Sequence, residues 1–134
     1  MVVIIVFLVV LSASNQASSF SLLNYFSGDY TAYTRTQNGD EAINLGFCYM
    51  NTKPGENIVG ESMVVKNFEV SSALETLKAR VVKTEYLTDG TIVIYAFTNL
   101  IKDQVRVDNQ LVNLQIAEKQ DYHVIGWPLI LGSY

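Results

Sequence analysis

Val81-Val82-Lys83-Thr84-Glu85-Tyr86-Leu87-Thr88-Asp89-Gly90-Thr91-Ile92-Val93-Ile94-Tyr95-Ala96-Phe97-Thr98 is the stretch whose reading settles the fold. Two runs rich in β-branched and aromatic residues flank Asp89-Gly90, a dipeptide suited to the backbone angles of a tight hairpin turn. Strands are therefore expected over Val82 to Leu87 and Thr91 to Thr98. Asn99 to Asp103 is a connector. Gln104 to Val107 and Leu111 to Ala117 then pair across Asp108-Asn109-Gln110, with Val112, Leu114 and Ile116 on one face. Tyr122 to Ile125 is the last strand, and Pro128, which lacks an N–H donor, suits an edge or a strand end.

Upstream, Asp29 to Thr36 and Ala42 to Met50 read as strands joined across Asn38-Gly39. In the second of these Ile43, Leu45, Phe47 and Tyr49 alternate with Asn44, Gly46, Cys48 and Met50. That alternation predicts one strongly apolar face turned to the core. Ser21 to Ser27 is a short lead-in, room for a single helical turn. Pro54-Gly55 and Gly60 mark a loop over Asn51 to Gly60, and Glu61 to Phe68 follows as a third strand. Ser71-Ser72 opens the only helix, with Ser72 and Glu75 spaced as a capping box. Ala73, Leu74, Leu77 and Val81 fall on one helical face and are expected to pack on the sheet. Eight short strands and one amphipathic helix make an α+β domain with a curved antiparallel sheet.

The chain has 134 residues, 49% of them hydrophobic and only 16% charged, which excludes disorder: the apolar supply offsets the ordering entropy. A chain of this size supports a single core. Nine Lys and Arg stand against thirteen Asp and Glu, for a net charge of −4. Duplex binding needs cations gathered on phosphates, and here they are scattered among acids, so nucleic acid is not an expected partner.

The N-terminus differs in kind. Val2 to Leu11 is an unbroken apolar run, followed by the small polar stretch Ser12 to Ser19. It has the length of a signal-peptide core and is too short for a hydrocarbon layer of about 30 Å. No Lys or Arg precedes it. Residues 1–19 are read as a leader, with cleavage near Ser14 or Ala17, and 20–134 as the domain. Contact with a membrane is then expected only through an uncleaved leader. The competing reading is a buried N-terminal strand.

Candidate chemistry is sparse. Cys48 is the sole cysteine, so no intramolecular disulfide forms, and its neighbours Phe47 and Tyr49 suggest an inert, buried thiol. His123 has no second His to complete a zinc site. A Cys48/His123 nucleophile pair requires the fold to bring the two together. Asp103, Asp108, Glu118 and Asp121 gather around the C-terminal turns without the spacing of a calcium loop, and read as a solvated rim. Gly60-Glu61-Ser62 lacks the second glycine of a nucleophile elbow. Tyr30, Tyr33, Tyr49, Tyr86 and Tyr95 lie in strands, either as cross-strand packing or as a binding platform for peptide or glycan. No catalytic, cofactor-binding or metal-binding residue is assigned, and no cofactor is expected.

The segment Ala79 to Tyr134 resembles the C-terminal part of the YwmB family, exported proteins of spore-forming Gram-positive bacteria. The resemblance rests on Ala79-Arg80-Val81-Val82, on Ile92 to Thr98, on Val112-Asn113-Leu114-Gln115-Ile116-Ala117, and on Gly126-Trp127-Pro128-Leu129-Ile130 before Tyr134. Trp127 stands where the family pattern has Thr. The resemblance implies a fold like that of the TATA-box-binding protein, of which this chain has room for one repeat, and it implies no catalytic residues. Fold alone does not assign function. Together these readings give an expected exported, non-enzymatic interaction domain at the cell envelope, with an association with sporulation implied only by the resemblance. Its partner would be an envelope protein or a second copy completing the sheet edge. The alternative is a small envelope hydrolase using Cys48 or a carboxylate pair.

Overall fold

The structure is a computed structural model that describes residues 20–132. The expected leader, residues 1–19, lies outside them. Among the described residues, nine strands and a single α-helix follow a 3-10 turn at Leu22–Asn24. The strands are β1 (Gly28–Thr36), β2 (Gly39–Cys48), β3 (Ile58–Val65), β4 (Arg80–Tyr86), β5 (Ile92–Phe97), β6 (Val105–Val107), β7 (Gln110–Val112), β8 (Leu114–Glu118) and β9 (His123–Trp127). The helix α1 spans Val70–Thr76. Seven strands form an open sheet in the order β2-β1-β3-β9-β8-β5-β4, every pair antiparallel, and β6 and β7 make a separate hairpin. This is the α+β class expected, and the sheet does not close.

Ladder register explains which side chains are buried. Tyr30, Met63, Ile125, Ile116 and Ile94 lie opposite one another in turn across five strands. They form one row on the face covered by Val70 and Leu74 of α1 and by Leu77 at its C-cap. On the other face Ala117, Val124 and Ile130 make a smaller cluster with Val64 and Tyr122. The Trp127–Pro128 peptide is cis, and the following segment lies over this second face, where the Ile130 amide donates to Gln115 Oε1 at 2.7 Å. A Cβ on Gly126 would approach Ile130 and the Glu61 carbonyl at 3.1 Å, so glycine there permits the return.

Several local expectations are corrected. Helix α1 begins at Val70 and not at Ser72: Glu69 is its N-cap, and the Ser72/Glu75 capping box does not form. Instead Glu69 Oε1 accepts from the Ser71 and Ser72 hydroxyls, which satisfies two side chains near the first turn without capping an amide. Val81 is not on the helix; Lys78 takes a positive φ of 52° and ends it, and Val81 stands exposed in β4. The expected strand over Leu111 to Ala117 is broken at Asn113. That side chain is fully buried and bonds the Thr98 amide, the Thr98 carbonyl and the Ile101 carbonyl, pinning the connector between β5 and β6. The third strand stops at Val65, and the first hairpin turns at Gln37-Asn38, one residue earlier than expected.

The largest correction concerns β2. Its apolar alternation does not meet the core. Between Tyr30 and Thr31 the β1–β2 register shifts, and Gly46 at φ 68° occupies the bulge. An extra residue reverses the facing of everything beyond it. Ile43 lies opposite Ala32 on the α1 face, whereas Phe47 lies opposite Asp29 on the other. Leu45, Phe47 and Tyr49 are therefore exposed on an edge strand, at 53%, 61% and 73% of their full accessible area.

Candidate interaction surface

The densest polar cluster in the described residues surrounds Glu61. Its carboxylate is fully buried among Ser21, Leu22, Tyr30 and Trp127. Oε1 accepts from the Leu22 amide at 2.7 Å and from Trp127 Nε1 at 2.6 Å. Oε2 accepts from the Ser21 hydroxyl at 2.6 Å and from the Tyr30 hydroxyl. A carboxylate offers about four lone-pair sites, and all four are occupied by neutral donors. Burial, and then the neighbouring carboxylate, push the Tyr30 phenol far above its ordinary value, so it stays a donor. No substrate reaches this group and no lone pair is left for one. The cluster clamps the segment before β1 onto the sheet, and Trp127 acquires a definite task as its fourth donor.

The residues singled out from the sequence are not brought together. Cys48 pairs with Gly28 at the β2 edge, and His123 lies in β9. Three strand spacings separate them, about 14 Å. No nucleophile pair exists. His123 Nε2 lies 3.4 Å from Glu118 Oε2, and its ring packs on Phe68. Asp108 pairs with Lys83, whose ammonium it holds above the ordinary value through that hydrogen bond. Asp103 and Asp121 are exposed, and among the described residues no group of three or more acidic, His or Cys side chains is placed to hold a metal ion. The tyrosines singled out fall in different settings. Tyr30 is in the core, Tyr86 is exposed at the end of β4, and Tyr95 lies across from Gln115 and Lys83.

What the fold does present is the β2 edge. Ile43, Leu45, Phe47, Tyr49 and Met50 are its exposed large apolar side chains, and no charged residue lies between Ala42 and Thr52. The Phe47 and Tyr49 rings meet edge to face at 5.0 Å between centroids, a geometry that fixes both. Two clefts adjoin this strand. One, of about 470 Å³, runs from Phe47 to Val64 and Lys66; the other, of about 430 Å³, runs from Met50 past Tyr25 and Phe26 to α1. Both share Ser27 and Asn67. Exposed apolar side chains gathered along one sheet edge of a small protein commonly mark an interaction site.

The opposite edge is treated differently. Strand β4 carries Arg80, Lys83 and Glu85, and the β6–β7 hairpin stands beside it, joined through Lys83 and Asp108. Charges and a covering loop are common ways to block edge pairing. β2 has neither along Ala42 to Cys48. Alternation flagged its apolar residues; the bulge turns Phe47 away from the α1 face, and Ile43, which stays on that face, is exposed because nothing described covers the edge there. No family model matches the chain, and neither the curated proteins nor the solved structures searched contain a match.

Proposed function

We propose that the protein is an exported, non-enzymatic interaction domain of the bacterial cell envelope, with β2 as its contact edge. The exposed β2 strand, uncharged from Ala42 onward, carries this reading: a long edge with unpaired backbone groups and large apolar side chains is a template for another strand. The buried Glu61 is sealed and the Cys48 and His123 side chains are apart, so neither supplies a reactive centre. Support for export comes from the run Val2 to Leu11 and the small residues after it. The resemblance of Ala79 to Tyr134 to the YwmB family points the same way, and an open antiparallel sheet covered by α1 on one face suits a saddle like that of the TATA-box-binding protein. The net charge of −4 speaks against a nucleic-acid partner for such a surface.

The test uses the full chain in a spore-forming Gram-positive host, with a photo-crosslinking residue at position 47 or, as control, at position 86 in β4. The reading predicts that intact cells expose the protein to an impermeant label, and that adducts form from position 47 and not from 86. Protein confined to the cytoplasm, or equal adducts from the two positions, would contradict it.

A further inference from the structure

The outward side of β2 is built to meet itself. We propose that two copies of this chain pair through β2, antiparallel about a two-fold axis at the Leu45-Gly46 bulge, joining two seven-stranded sheets into one. This rests on the reading of β2 as the contact edge and names its occupant.

Three observations lead there. First, facing is self-consistent along the whole of Ala42 to Cys48 when the axis lies at the bulge. With Leu45 and Gly46 at the axis, Ile43 of one copy falls opposite Cys48 of the partner subunit, and Asn44 opposite the partner subunit's Phe47. The β1–β2 register puts Ile43 and Cys48 both on the α1 face, opposite Ala32 and Gly28. It puts Asn44 and Phe47 both on the other, opposite Thr31 and Asp29. In an antiparallel pair of one sheet, facing residues must share a face, and a bulge at the axis in each copy meets that condition. Second, charge permits it. The acids Asp40 and Glu41 sit at one end of β2 and the uncharged stretch Ala42 to Thr52 follows. Antiparallel pairing about the bulge sets the acids of each copy against the uncharged Asn51 and Met50 of the other, and keeps the four carboxylates far apart. A register shifted toward Asp40 would stack like charges, which is destabilising.

Third, there is apolar surface to bury. The exposed portions of Ile43, Leu45, Phe47, Tyr49 and Met50 amount to on the order of 500 Å² per copy. Two copies thus bring up to roughly 1,000 Å² of exposed surface to the contact, of which edge pairing buries the part beside the seam, an area that suits a weak, concentration-dependent dimer. The contact is isologous and closes on itself, and the charged, covered β4 edge stops the sheet from growing further.

The test combines mass in solution with a thiol reporter. Light scattering of the purified chain is expected to show monomer passing to dimer as concentration rises from low micromolar towards millimolar. Phe47→Lys should weaken dimerisation about thirtyfold or more, as loss of a central aromatic contact does, while Tyr86→Lys leaves it unchanged. The unsubstituted chain should not cross-link on mild oxidation, since the two Cys48 thiols lie on opposite sides of the axis. Ile43→Cys should cross-link to a covalent dimer, and Ile43→Cys combined with Cys48→Ser should not. A monomer at every concentration, a dimer indifferent to Phe47→Lys, or Ile43→Cys that fails to cross-link would overturn the pairing. If position 47 meanwhile yields adducts to some other protein on cells, the contact-edge reading survives without it.

Discussion

At position 61 a carboxylate occupies a site where strand alternation calls for a hydrophobe, in line with Met63 and Val65. Its four donors make that tolerable, and their chemistry ranks the substitutions. The Ser21 and Tyr30 hydroxyls at Oε2 can turn and accept; the Leu22 amide and the Trp127 indole at Oε1 only donate. Glu61→Gln, with its amide group towards the hydroxyls, keeps the two bonds at Oε1 and reverses the two at Oε2, so it is expected to cost less than Glu61→Ala. Glu61→Ala strands four buried donors at about 1–3 kcal/mol each at most, and should cost at least about 3 kcal/mol. Chemical denaturation of both variants checks the ranking; equal losses would contradict it. Tyr30 carries a pH signature. Its phenol is raised in the fold, so above about pH 10 the unfolded chain releases a proton that the folded chain retains. Stability is then complete below that pH and falls above it by about 1.4 kcal/mol per pH unit. Tyr30→Phe should flatten the alkaline limb of a stability–pH profile.

Among the elements, those governed by local chemistry were legible from residues alone. Asp89-Gly90 turns where expected, with Gly90 at φ 91° and its amide bonded to the Leu87 carbonyl. Strand β5 and the apolar row of β8 follow from alternation. The outward turn of β2 was not legible, because a bulge at Leu45-Gly46 depends on how β1 and β2 register and the same letters also spell a regular strand. The Glu61 cluster was equally hidden: Trp127 lies 66 residues away, and only the β3–β9 ladder makes the two neighbours. The segment before β1 also proves to be part of the core. Leu22 and Leu23 are 0% and 1% exposed, and Ser21 and Leu22 supply two of the four donors. Burial of each Leu contributes about 1.5–3 kcal/mol, a large share of a small domain's stability. A chain beginning at Tyr25 should therefore lose its cooperative melt by circular dichroism, and one beginning at Ser19 should keep it.

The described residues make an open sheet with one guarded edge and one with nothing described beside it. α1 and the 3-10 turn cover one face, the returning segment around Ile130 covers part of the other, and β4 is screened by charge and by the β6–β7 hairpin. Only β2 offers a long apolar edge with nothing described beside it. The account stands on that edge being used. Hydrogen exchange followed peptide by peptide, at low and at high protein concentration, tests this most directly. The outward amides of Ala42 to Cys48, those not bonded to β1, should exchange quickly in dilute solution and become protected as the protein associates, while β4 amides stay unchanged. Unaltered exchange across β2, or protection that arises at β4 instead, would contradict it.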